Sequence, residues 1–172
     1  WGYHAIREIE RARAAVAVME RLAEESGLSY IGGFAAFMGV HVEGCHGHVA
    51  ASRRWLERLD ERTDPARWYD RATYCCSATW FSVFERDPRL ALVHGAEGIA
   101  LIADGVANSA IQWRLPLAMV HAARGDRDET RRLLDELAGF ERRHGLHYWR
   151  PLFEAVEAIL ALRTADEAAL RR

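Results

Sequence analysis

The chain contains no lysine: all 23 of its basic residues are arginine, against 25 acidic ones and a formal net charge of -2. A balance this close to zero excludes the strong positive field that gathers nucleic acid or anionic membrane without specificity. The arginines occupy ordinary polar helix positions, so the missing lysine reads as codon bias of a GC-rich genome. Cysteine is scarce. Cys45, Cys75 and Cys76 cannot form a disulfide framework in 172 residues, and they read as cytoplasmic thiols. Long apolar runs are lacking too. The longest, Tyr30 to Val42, is too short to cross a bilayer and carries His41 and the pair Gly32-Gly33. No signal peptide is visible, and no Gly-, Pro- or Ser-rich linker divides the chain, so residues 1–172 read as one domain. The chain opens Trp1-Gly2 and ends within a repeat-like Asp166-Glu167-Ala168-Ala169-Leu170. It therefore reads as a segment of a longer protein, a solenoid cut without its polar cap.

No strand-period run appears either. What is present is helical and repeats. In Ala122 to Leu137, Gly125 can close one helix in the left-handed conformation. Asp126 can cap the next, with Glu129 completing a capping box. Leu133, Leu134, Leu137 and Phe140 then form one apolar stripe. Thirty-nine residues before Asp126 stands Asp87-Pro88, and 39 earlier stands His48. The small residues Ser52, Ala91 and Thr130 keep step, as do Trp55-Leu56, His94-Gly95 and Leu133-Leu134, then Leu59, Gly98 and Leu137. A step of 37 adds Ala15, Val18, Met19 and Leu22, matching Met19-Glu20-Arg21-Leu22 to Leu56-Glu57-Arg58-Leu59. Four units of 37 to 39 residues predict stacked helical hairpins, each burying its apolar face on a neighbour.

In chain order, the first helix covers about 4–25 with Ile9, Ala12, Val16, Met19 and Ala23 or Leu22 inward, and Gly27 closes it. Ser29 caps a second helix to about Glu43, apolar nearly all round and therefore buried. Its glycines Gly32, Gly33 and Gly39 each cost about 1 kcal/mol of helix stability, which close helix approach would offset. Further turns are expected at Asp64-Pro65, Asp104-Gly105 and His144-Gly145. Pro116 should kink its helix or delay its start, whereas Pro151 fits a first turn.

No phosphate loop, nucleophile elbow or His-Glu-x-x-His helix is present, so no enzyme is expected. His41, Cys45, His46 and His48, with Glu43 nearby, carry metal-ligand chemistry but fit no standard zinc spacing. No metal is expected, and these four are the candidates if one binds. Cys75-Cys76 diverge on a helix and read as core. Trp113-Arg114 and Trp149-Arg150 each pair a flat ring with a guanidinium, which suits a sugar, a carboxylate or a partner peptide. Unit three lacks bulk at His94, Gly95 and Gly98. Either a ring such as Trp80 or Trp113 fills that notch, or a pocket opens beside His94.

The motif Ala-Ala-Arg-Gly-Asp-Arg-Asp-Glu-Thr-Arg-Arg-Leu-Leu, recurring on helix pairs, resembles tetratricopeptide-like arrays. In particular it is similar to the sensor region of bacterial LuxR-type, ATP-dependent transcriptional regulators of the maltose-activator class. The resemblance implies an all-α, right-handed α-solenoid of about four antiparallel hairpins. It implies a cytoplasmic, non-catalytic segment that binds a small-molecule inducer or a partner protein, with no cofactor, no membrane and no direct nucleic-acid contact. ATP and DNA would belong to modules elsewhere in the parent protein. His94, Trp113, Arg114, Trp149 and Arg150 are the candidate binding residues. The alternatives are a generic tetratricopeptide-like interaction scaffold and, third, an enzyme or metal-binding domain.

Overall fold

The computed structural model describes residues 8–102 and 107–170, and every regular element among them is helical. Eight α-helices follow one another: α1 Ile9–Ser26, α2 Ser29–Cys45, α3 Val49–Arg62, α4 Trp68–Glu85, α5 Arg89–Ile102, α6 Ala107–Arg124, α7 Arg127–His144 and α8 Arg150–Leu170. A single 3₁₀ turn, His147–Trp149, precedes α8.

The turns follow backbone chemistry. Gly27 (φ 67°), Gly125 (φ 76°) and Gly145 (φ 66°) are left-handed and end α1, α6 and α7, the conformation that lets a last helical carbonyl find a donor. Arg86 does the same for α4 at φ 60° without glycine's freedom, a cost of about 1–2 kcal/mol. Asp64, Asp87 and Asp126 accept backbone N–H bonds from Ala66 (2.9 Å), Arg89 (3.1 Å) and Glu129 (3.4 Å). Two expectations need correction. Glu129 does not complete a capping box, because its carboxylate is taken by Arg132. Ser29 is the first helical residue rather than the cap; Leu28 sits at the cap position, and its N–H donates to Ser26 Oγ at 3.3 Å. Pro116 lies inside α6, which is continuous through it. The expected turn at Asp104-Gly105 lies outside the described residues.

Helices pack only on near neighbours in the chain. Each touches the next, and the even-numbered α2, α4, α6 and α8 also touch in series. Among the described residues α1 has no contact with α8, and no odd-numbered helix packs on another. The bundle is not closed. The core is accordingly a string of clusters: Val16, Met38 and Val42; Val40, Leu56, Ala78 and Phe81; Ala72, Cys76, Ile102 and Trp113; then a larger one from α6, α7 and α8. Phe81 is fully buried, which contributes on the order of 2–3 kcal/mol. α4 touches four helices, α2, α3, α5 and α6, as α6 touches α4, α5, α7 and α8. The small α4 residues Ala72, Cys75, Cys76, Ser77 and Ala78 allow that crowding, and Thr73 and Thr79 return their hydroxyls to carbonyls one turn back.

Burial follows the 39-residue step at Ser52, Ala91 and Thr130 and at Leu59, Gly98 and Leu137, but not in the intervening pair, where Leu56 and Gly95 are buried and Leu134 is half-buried. The register fails in the first unit. Val18 and Leu22 are exposed, whereas Val16 is buried and Ala12, Met19 and Ala23 are half-buried. By burial, Val16 and Met19 correspond to Leu56 and Leu59, a step of 40. The Glu-Arg-Leu likeness between α1 and α3 is thus out of phase by about one helical turn. Helical periodicity placed the inward face of α1 correctly where repeat matching did not.

Candidate functional site

With α1 and α3 both resting on α2 and meeting one another through side chains, a groove of about 360 Å³ opens between them. Its floor is Val16, Gly39, Val42 and the ring of Trp55, and its rim carries Arg13, Glu20, Arg21, Glu24 and Arg58. Gly39 makes the floor possible: a Cβ there would fall 2.3 Å from Trp55 Cδ2. Trp55 therefore lies on the α2 backbone, with the Arg58 guanidinium 4.8 Å from its ring centroid, a favourable cation–π distance.

Charge pairs lock both ends. Arg13 donates from Nε and Nη2 to the two oxygens of buried Glu43, both at 2.8 Å, the bidentate geometry that guanidinium and carboxylate share. Those bonds hold the Glu43 carboxyl below its ordinary range, against the opposing effect of burial. His48 Nδ1 lies 3.0 Å from the same carboxylate. At the other end Glu20 of α1 receives Arg58 at 3.4 Å and Arg62 of α3. The groove thus joins an aromatic floor to arginines and glutamates of both signs, which can hold a ring and an attached polar or anionic group.

A second depression, about 190 Å³, lies where the starts of α2 and α4 meet the end of α3; Tyr30, Phe34, Tyr69, Arg62 and Asp70 line it. Tyr30, Trp68 and Tyr69 are exposed there, Trp68 edge-on to Tyr69.

The notch in unit three is filled. Leu117 reaches the face of Gly95, where a Cβ would meet its Cδ1 at 2.8 Å, and a Cβ on Gly98 would fall 3.1 Å from Trp113 Cδ1 and 2.9 Å from Cys75 Cβ. Of the two alternatives for these glycines the filled notch holds, by Leu117 at Gly95 and by the Trp113 ring at Gly98. His94 packs edge-on against Tyr74, ring centroids 5.4 Å apart.

Trp113 is buried and donates from Nε1 to Ala72 O at 2.9 Å, while its neighbour Arg114 turns to Glu136 (2.8 Å) and lies over Phe140. Arg150 reaches buried Glu141 at 2.7 Å, while Trp149 packs partly buried on the α6–α8 cluster. In both sequence pairs, ring and guanidinium serve different neighbours. Of the metal candidates, His41 is enclosed by Phe37, Trp80 and Phe84, with Nδ1 2.8 Å from Phe37 O. Burial pulls its pKa down to about 4. His46 faces Val42 O (2.7 Å), His48 faces Glu43, and Cys45 is exposed. These residues do not converge. The group that does converge among the described residues is Cys75, His94 and Glu97.

No protein family, no curated protein and no solved structure matches the chain. The site is therefore read from its own residues. Sequence reading missed the groove because Trp55 looked like a core column of the repeat. The signal was Gly39 on an otherwise bulky, buried helix, which marks where a ring approaches the backbone.

Proposed function

We propose that the chain is a recognition segment, a tetratricopeptide-like solenoid of helical hairpins that senses a small ligand or a partner for a larger bacterial transcriptional regulator in the cytoplasm. The observation that carries this reading is the α1–α3 groove, a concave site between two helices that both rest on α2. An open array of this kind leaves such a groove on every unit that its neighbour does not fill. The resemblance of the Ala122–Leu134 motif to the sensor region of LuxR-type regulators supplies the regulatory context. In this reading the segment acts by binding rather than catalysis.

The ligand class that fits is a ring bearing a polar or anionic substituent, lodged against Trp55 in the groove and reached by Arg21 and Arg58. A thermal-shift screen of aromatic acids, nucleosides and sugars tests it. A true ligand at about a hundredfold over its Kd stabilises by about 2.7 kcal/mol, and Trp55→Leu abolishes that rise. A screen in which every shift survives Trp55→Leu overturns the assignment of the groove. The second reading, a protein-docking scaffold, is favoured by the exposed rings Tyr30, Trp68 and Tyr69, a composition typical of interfaces.

A further inference from the structure

One turn of α4 and one turn of α5 face each other across a closely packed helix pair. From α4 comes Cys75, fully buried, flanked by Arg71 and Tyr74; from α5 come His94 and Glu97, at the i, i+3 spacing that puts both on one helix face. A thiol sulfur, an imidazole nitrogen and a carboxylate oxygen lie within 4.8 Å of one another. His94 Nδ1 is buried and has no hydrogen-bond partner, standing 3.7 Å from Glu97 Oε2. A buried ring nitrogen left without a partner beside a carboxylate and a thiol calls for a physical reason.

We propose that Cys75, His94 and Glu97 are the three protein ligands of a zinc-type, thiophilic divalent cation. This site is independent of the groove, and it departs from the expectation of a segment that holds no metal. Three features of the fold point to it. The donor set is the one zinc takes, a sulfur, an imidazole nitrogen and a carboxylate oxygen. At ordinary bond lengths a tetrahedral ion holds such donors about 3.5 Å apart, so rotamer adjustment of roughly 1 Å closes the set. Glu97 already has its outer partner: Arg71 donates from Nε and Nη2 to its two oxygens at 2.6 and 2.7 Å. Each oxygen keeps a free lone pair for an ion, and hydrogen-bonded carboxylates of this kind are what metal ligands need behind them. Finally, Gly98 leaves room for the thiol, since a Cβ there would stand 2.9 Å from Cys75 Cβ.

Binding replaces the thiol proton with the metal, and the proton leaves to solvent past the half-exposed Glu97. Thiolate and carboxylate together match the ion's two charges, and Arg71 remains paired outside. Bound there, the ion clips α4 to α5.

Cobalt(II) reports such a site directly, because thiolate ligation gives a near-ultraviolet charge-transfer band and a tetrahedral visible spectrum. Titrating the 172-residue chain with Co²⁺ alone should develop both bands to one equivalent, and Zn²⁺ should bleach them. Cys75→Ser should remove the charge-transfer band. His94→Gln and Glu97→Gln should weaken binding by at least about tenfold, while Cys45→Ser and Cys76→Ser leave it unchanged. Circular dichroism without metal checks that each variant keeps its helices; if Cys75→Ser does not fold, the His94 and Glu97 variants decide. A wild-type chain with no charge-transfer band at millimolar Co²⁺ overturns the proposal. So does a band that survives both His94→Gln and Glu97→Gln, or one lost in Cys45→Ser.

Discussion

Trp55 rests on Gly39 so closely that no side chain fits between them: a single added carbon would sit 2.3 Å from the indole. Gly39→Ala should therefore destabilise by about 1–3 kcal/mol through overpacking, although alanine is the better helix former. Gly33, six residues earlier on α2, has nothing within 4 Å of an added Cβ. Gly33→Ala should stabilise by about 0.5–1 kcal/mol. Urea melts of the two variants should move in opposite directions, and movement in the same direction would contradict the close approach.

The α6–α7 turn depends on Asp126 twice. Its side chain accepts the Glu129 N–H and also lies 2.9 Å from His121 Nδ1. Asp126→Ala should cost about 1–2 kcal/mol. Gly125→Val, placing a β-branched residue at φ 76°, should cost at least as much. Chemical denaturation of both variants at one pH gives the comparison.

Filling the unit-three notch tests the packing seen there. Gly95→Leu would drive a side chain into Leu117, and the expected loss is about 1–3 kcal/mol or more. Because Leu117 rather than a cavity lies opposite, the loss should be the same whatever small molecule is present. A variant of unchanged stability would show that the column is open.

Stability should fall in mild acid, and His41 sets part of the window. Its folded pKa is depressed from 6.5 to about 4, so the unfolded chain takes up a proton that the folded chain refuses. The contribution is intact above the unfolded pKa and is lost as pH falls from about 6.5 toward about 4, at about 1–2 kcal/mol by about pH 5. Glu43, also depressed, adds a further loss at lower pH as its pairing with Arg13 is protonated away. His41→Gln should flatten the drop between about pH 7.5 and about pH 5. Equal slopes in the two proteins would mean that His41 titrates normally.

The helices were legible in the sequence wherever a local rule decided the outcome. Gly27, Gly125 and Gly145 end helices because a left-handed residue was needed, Asp87 and Asp126 precede helices because a short acceptor was needed, and Asp64 makes the turn before α4. Val16 and Met19 could be placed inward from a period of 3.6. What escaped was contact at long separation in the chain. Nothing near Gly98 reveals that Trp113 and Cys75 close on it, and nothing in the adjacent pair Trp113-Arg114 reveals that one side chain turns to Ala72 and the other to Glu136. The α1 register failed for a related reason. Glu20-Arg21-Leu22 copies Glu57-Arg58-Leu59 in letters, yet Leu22 is exposed where Leu59 is buried, because tertiary packing and not local likeness chooses the face.

All helix packing between α1–α3 and α5–α8, among the described residues, runs through α4. That makes α4 a lever with a load at either end. On one side it bears on α2, the floor of the groove; on the other it meets α5 across Cys75, His94 and Glu97. A tilt imposed at the α5 contact has no other helix to travel through, so it must arrive at α2 or be absorbed within α4 itself. Small residues line much of that helix, and small residues let packed helices slide. Through α4, an event near His94 can therefore be felt beneath Trp55.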